Sequence, residues 1–154
     1  MKCEKTAKTL SCLLNLIEKR NKILEKYFTP ILLLTIRIMI AMVFLKSGLT
    51  KIASFDSTIF LFENEYNVPL LNPVFAAYLT TFFELTCSIF LIIGLAARPA
   101  ALILLALTSV IQFLVMPNPE HFYWMALLAT IIAFGAGCFS FDYFIKKCAK
   151  KCSS

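Results

Sequence analysis

Histidine occurs once in this chain, at position 121. One imidazole cannot build a histidine-rich metal or haem site, so neither metal nor haem is expected. None of the six cysteines (Cys3, Cys12, Cys87, Cys138, Cys148, Cys152) forms a Cys-x-x-Cys pair. That excludes the paired external motif a membrane thiol oxidoreductase would use. A glycine-rich nucleotide loop, a serine-centred hydrolase motif and an internal repeat are all missing. Charge is also scarce: 16% of residues are charged, against about 25% in an average globular protein. The first 29 residues have no sustained apolar run, so no cleavable signal peptide is expected.

What is present is apolar. Hydrophobic residues make up 60% of the 154 and the mean hydropathy is +0.81, which describes a membrane protein. The length suits one compact bundle and leaves no room for a separate soluble domain. The net charge of +6 sits mostly at the ends: Lys2, Lys5, Lys8, Lys19, Arg20, Lys22 and Lys26 before Tyr27, and Lys146, Lys147, Lys150 and Lys151 after Phe144. Basic ends flanking apolar spans fit lipid headgroups as the anionic partner and not nucleic acid.

Four segments reach the roughly 20 apolar residues a helical crossing needs: Pro30–Ala53, Pro73–Leu95, Arg98–Met116 and Phe122–Phe141. The fold class expected is all-α, a four-helix transmembrane bundle with an N-terminal amphipathic interfacial helix. Three regions follow: a basic segment 1–29, a membrane domain 30–142 and a basic Cys/Lys tail 143–154. The tight turn at Ala96-Ala97-Arg98-Pro99 makes spans two and three an antiparallel hairpin, and Pro99 suits a first helical turn. Prolines 117 and 119 separate spans three and four. The N-terminus, the Arg98 turn and the C-terminus share one side and hold twelve Lys/Arg residues between them. Both termini are therefore expected in the cytoplasm.

Within Thr9–Phe28, the residues Leu10, Leu13, Leu14, Ile17, Leu24 and Phe28 recur at helical spacing opposite a basic face. Such a helix lies in the headgroup plane, anchoring span one or docking a partner. Phe55–Leu71 is too apolar for a water-exposed loop. It reads as a short helix on the bundle mouth, a lid or simple packing, stopped near Asn67-Val68-Pro69.

Three charges fall at membrane depth: Arg37, Lys46 and Glu84. Ionised groups there face a bundle interior or a polar cavity. At about 1.5 Å per residue, Arg37, Glu84 and Lys46 lie roughly 10, 16 and 24 Å from the cytoplasmic end. Arg37 and Lys46 are nine steps apart, about 180° of helix, so they cannot share a face. Fourteen steps bring Lys51 back to within about 40° of Arg37. Arg37, Phe44, Gly48 and Lys51 are placed inward, and Lys46 outward to snorkel or to pair with another subunit. Cys87 lies one turn from Glu84. His121 opens span four beside Trp124 and either titrates near neutrality, bonds a ligand carbonyl, or is simply solvated. Cys148 and Cys152 sit among tail lysines that would lower their pKa.

The stretch Arg37-Ile-Met-Ile-Ala-Met-Val-Phe44-Leu-Lys-Ser47-Gly48-Leu-Thr-Lys51 resembles the first span of the DoxX family of small bacterial membrane proteins. Later segments resemble the corresponding parts of the same family: Val68-Pro69 before span two, Ala77-Tyr-Leu-Thr-Thr-Phe-Phe-Glu84-Leu within it, Gly94-Leu-Ala-Ala-Arg98-Pro-Ala after it, and the closing Gly135-Ala-Gly137-Cys-Phe-Ser140-Phe-Asp142, with Phe141 in the place of a leucine. The resemblance covers roughly Leu32–Asp142, and Lys46 departs from it. It implies four helices, a bacterial inner (plasma) membrane location, and links to quinone-coupled sulfur oxidation and to complexes that handle oxidative stress.

The leading expectation is a redox-associated membrane subunit that binds a quinone-like or other small amphipathic molecule. Glu84 and Arg37 are its candidate catalytic residues, and Phe44, Gly48, Lys51, Cys87 and His121 its candidate ligand-binding residues. Quinone is the cofactor expected; whether the chain is itself an enzyme stays open. The alternatives are a non-enzymatic scaffold for soluble cytoplasmic redox partners, or a small-solute or proton transporter relaying through Glu84, which would have to form a homo-oligomer.

Overall fold

A computed structural model describes residues 2–66 and 72–152 and, within them, the side chains outside 2–17, 23, 25, 146 and 149–152. The expected helix stop at Asn67-Val68-Pro69 lies outside the described residues. So do the side chains of Leu10, Leu13, Leu14 and Ile17, and those of Cys3, Cys12 and Cys152. The chain forms two compact units, Met1–Leu32 and Leu33–Ser154.

The described elements are helical: α1 Lys2–Ala53, α2 Phe55–Leu61, α3 Pro73–Ile93, α4 Ala97–Val110, α5 Pro119–Phe134 and α6 Phe141–Cys152. Two π-helical turns extend them, Phe62–Tyr66 after α2 and Ile111–Val115 after α4. Among the described residues three stretches are long and apolar enough to cross a membrane: Lys26–Ala53, Pro73–Ile93 and Ala97–Val115.

Two boundaries differ from expectation. Pro30 does not open a helix; it lies inside α1. Proline removes a single backbone donor, a loss that lipid-embedded helices tolerate. The expected span Phe122–Phe141 is not helical throughout. α5 starts earlier, at Pro119, and stops at Phe134, where Gly135 turns to φ 81°. Its 16 residues give a rod of about 24 Å, short of the roughly 30 Å hydrocarbon core.

Elsewhere the chain signals its own turns. Asn72 and Asn118 cap α3 and α5 by accepting from the backbone N–H of Val74 and Glu120, each at 3.0 Å. A proline follows each cap, where the missing donor costs nothing. Ser54 breaks α1 from α2, and Thr58 ties the joint by donating to the Ser54 carbonyl at 3.2 Å and the Lys51 carbonyl at 3.3 Å.

Helical stripes build the Leu33–Ser154 unit. On α1, Leu33, Arg37, Ile40, Ala41, Phe44 and Gly48 are buried. On α3 the buried stripe is Ala77, Thr81, Glu84, Ser88 and Leu91, so Glu84 occupies a core position. On α4, Ala97, Ala100, Ala101 and Leu104 recur at i, i+3, i+4 and i+7. The three alanines let α3 and α5 approach α4 closely. Ile40, Phe44, Cys87, Leu91, Leu104, Leu128 and Ile131 fill the core between them. A second cluster of Phe62, Ala76 and Ala77, joined by Phe55, Ile59 and Tyr66, seats α2 and its π turn on the first half of α3. The expected short helix is thus present from Phe55, and it is packed.

Candidate functional site

The two inward charges of the membrane stretch have separate surroundings. Arg37 is 2% exposed and donates from Nη1 to the Ala136 carbonyl at 2.7 Å and from Nη2 to the Phe139 carbonyl at 2.8 Å. Those carbonyls belong to the non-helical stretch after α5, which wraps Gly135 and Gly137 at positive φ. Gly94, at φ 75°, closes α3 beside it. A Cβ there would stand 2.8 Å from Arg37 Nη1 and 2.8 Å from Ser140 Cβ. Asp142 completes the clasp, accepting from the backbone N–H groups of Ala96 at 2.9 Å and Ala97 at 3.3 Å. This carboxylate at the first turn of α4 also complements the helix dipole and steadies Ala96, itself at φ 48°. The Gly-Leu-Ala-Ala-Arg-Pro and Gly-Ala-Gly…Ser-Phe-Asp segments are therefore two halves of one clasp. Gly94→Ala should destabilise the protein by at least about 1–2 kcal/mol through the left-handed backbone alone, read as a lower unfolding temperature in detergent.

Glu84 lies elsewhere. It is 2% exposed, and Lys51 at the end of α1 forms an ion pair with its Oε1. Ser88 donates to its main-chain carbonyl. Gly48 lets α3 come near: a Cβ at position 48 would meet Leu85 at 2.9 Å and the Glu84 Cβ at 3.5 Å. The second carboxylate oxygen, Oε2, is buried and has no protein partner. Glu84 lines a chamber of about 210 Å³ with Phe44, Ser47, Lys51, Thr108, His121 and Trp124 among its walls. The Phe44 and Trp124 rings meet edge to face at 5.9 Å, and His121 lies 5.0 Å from Trp124.

Both π turns rim this chamber, through Phe62, Tyr66 and Ile111. An inserted π residue re-aims the side chains around it and often marks a functional site. In the second turn, buried Gln112 accepts from the Asn118 N–H at 2.9 Å, and its Oε1 lies 2.9 Å from His121 Nδ1. The imidazole is thereby fixed at the chamber wall. Burial holds the Tyr66 phenol above its usual range, and the carboxylates of Glu65 and Glu84 push it further; it stays a hydrogen-bond donor.

Of the expected site residues, the structure gathers Glu84, Lys51, Phe44 and His121 at one chamber, with Gly48 behind them. Arg37 is turned to the clasp. Cys87, three residues from Glu84 and so about 60° off its face, packs in the apolar core. Gln112 and Tyr66 are additions. Gln112 carried a signal, the sole amide of the third span. Among the described residues no group of His, Cys, Asp or Glu is arranged to hold a metal ion.

Buried polar groups set on membrane-length helices define an all-helical integral membrane protein. The DoxX family model matches residues 32–117, more than half of the chain, and the protein belongs to that family. No curated protein and no solved structure matches it.

Proposed function

We propose that the Glu84 chamber binds the polar head of a small amphipathic, quinone-like molecule, and that the protein serves as a redox-associated membrane subunit. The observation that carries this reading is the unpartnered Glu84 Oε2, buried in a chamber with aromatic walls. A buried acceptor without a donor costs about 1–3 kcal/mol, a cost that a ligand hydroxyl or proton removes. The chamber is below the roughly 300–1,000 Å³ of a site for a whole drug-sized molecule. At about 30 Å³ per water it holds some seven waters, or one ring. A tail would extend past Phe62, Tyr66 and Ile111, which also wall an adjoining apolar cavity of about 130 Å³.

In this reading Glu84 accepts from the ligand head or exchanges a proton with it. Lys51 holds the carboxylate in place, and His121, oriented by Gln112, bonds the far side of the ring. A bound quinone would carry the electrons. Arg37 acts at a distance, as a positioning residue through the clasp. We further assign four crossings, with α5 as a short fourth one, in a bacterial inner membrane. Residues 1–29 form a basic interfacial segment, and both termini lie in the cytoplasm on the basic-ends pattern. The cytoplasmic ends are where soluble redox partners would dock.

The test is solvent extraction of protein purified in mild detergent, with quinones quantified by mass spectrometry against Glu84→Gln. The expected result is near-stoichiometric quinone in the wild type and at least a tenfold loss in the variant, what about 1.4 kcal/mol gives. Equal quinone in both samples, or none in either, overturns the assignment.

A further inference from the structure

Lys46 is used by neither the clasp nor the chamber. It is exposed on the outer side of α1, and among the described residues no carboxylate pairs with it. It lies seven residues before the end of α1, about 10 Å deep, where a bare ammonium is costly.

Two surface hollows meet at Val43 and Lys46. One, of about 550 Å³, runs toward α2 and carries Thr50, Ser54 and Ser57. The other, of about 420 Å³, runs the opposite way along Met42 and Leu49. The trough is largely apolar throughout, with hydroxyls set into its wall toward the end of α1, none toward mid-span, and the Lys46 cation at the junction. That is the polarity of a phospholipid standing in one leaflet. The hydroxyls refine the match. Thr50 donates to the Lys46 carbonyl at 2.9 Å and Ser54 to the Thr50 carbonyl at 3.4 Å. With their protons committed, both oxygens are left as acceptors.

We infer that this trough is a binding site for an anionic phospholipid with a hydroxyl-bearing headgroup. Lys46 pairs with the phosphate, Ser57 donates to it, Thr50 and Ser54 accept from headgroup hydroxyls, and a chain lies along Met42 and Leu49. The inference is independent of any ligand at Glu84.

The experiment reconstitutes the full chain in an equimolar mixture of phosphatidylglycerol and phosphatidylcholine, extracts it in mild detergent, and counts the lipid retained per protein by native mass spectrometry. Phosphatidylglycerol should be enriched in the wild type. Lys46→Leu should reduce that enrichment about fivefold, the worth of one lysine against an anionic lipid, and Lys46→Arg should keep it. Position 46 faces outward, so both variants fold. Equal retention of the two lipids by wild type, which is what bulk snorkelling gives, overturns the site. So does unchanged enrichment in Lys46→Leu. A dimer that Lys46→Leu abolishes would make the occupant a second copy of the chain and likewise overturn the lipid assignment.

Discussion

Lys51→Met should lower the stability of the protein by about 3–5 kcal/mol, the usual cost of removing one partner from a buried ion pair. Glu84 is the more deeply buried partner, its side chain 3% exposed against 17% for Lys51. Its Oε2 has no donor already, so the variant leaves both oxygens unpaired in a largely apolar setting. The reverse change, Glu84→Gln, costs less, because the freed ammonium can turn toward water and an amide can share hydrogen bonds. The double variant Lys51→Met/Glu84→Gln should recover most of the loss, since no charge then stays buried alone. Denaturation of the four proteins in one detergent forms a double-mutant cycle. A single-variant cost under about 1 kcal/mol would place the pair with exposed ion pairs and remove its structural role.

Arg37→Met should be the second severe change. Two charge-assisted hydrogen bonds disappear, each worth about 1.5–3 kcal/mol, and the Ala136 and Phe139 carbonyls lose their donor. A loss of about 3 kcal/mol or more is expected, with the stretch between α5 and α6 opening first. Arg37→Lys should recover only part, because one ammonium cannot reproduce the guanidinium fork. Hydrogen exchange of amides 135–142 locates the effect. Uniform exchange across all helices would mean that Arg37 supports the bundle as a whole and not this clasp.

Much of the helical frame was legible because its signals are local. Pro73 opens α3 as its sequence suggests, and the chain breaks near Ala96 and again before Pro119. The caps Asn72 and Asn118 and the left-handed Gly94 act just as locally but leave no mark on hydropathy, which is why α5 opens at Pro119 and not at Phe122. The inward set of Arg37, Phe44, Gly48 and Lys51 follows from rotation along one helix, and the fourteen-residue return that aligned Lys51 with Arg37 brings Lys51 onto Glu84. What was not legible depends on distant or irregular backbone. The partners of Arg37 are main-chain carbonyls, which every residue has, so no side chain announced them. Their stretch is apolar enough to read as the end of a fourth span, although Gly135 breaks the helix there. Hydropathy does not encode a π turn, and so Tyr66 came to the chamber unannounced, while Gln112 was marked only by being the sole amide of its span. Cys87 was placed with Glu84 by spacing of nearly one turn, but 60° of rotation suffices to put it in the core.

The clasp also imposes an order in time. Arg37 sits 99 and 102 residues before the carbonyls that receive it. At a synthesis rate of about 5–20 residues per second, its first span waits roughly 5–20 s before those partners leave the ribosome. Throughout that interval the guanidinium must be held by headgroups, water or the insertion machinery. The residues that release it from them are made about a hundred positions later, so a chain halted before Ala136 would carry a cation that its own fold cannot shelter.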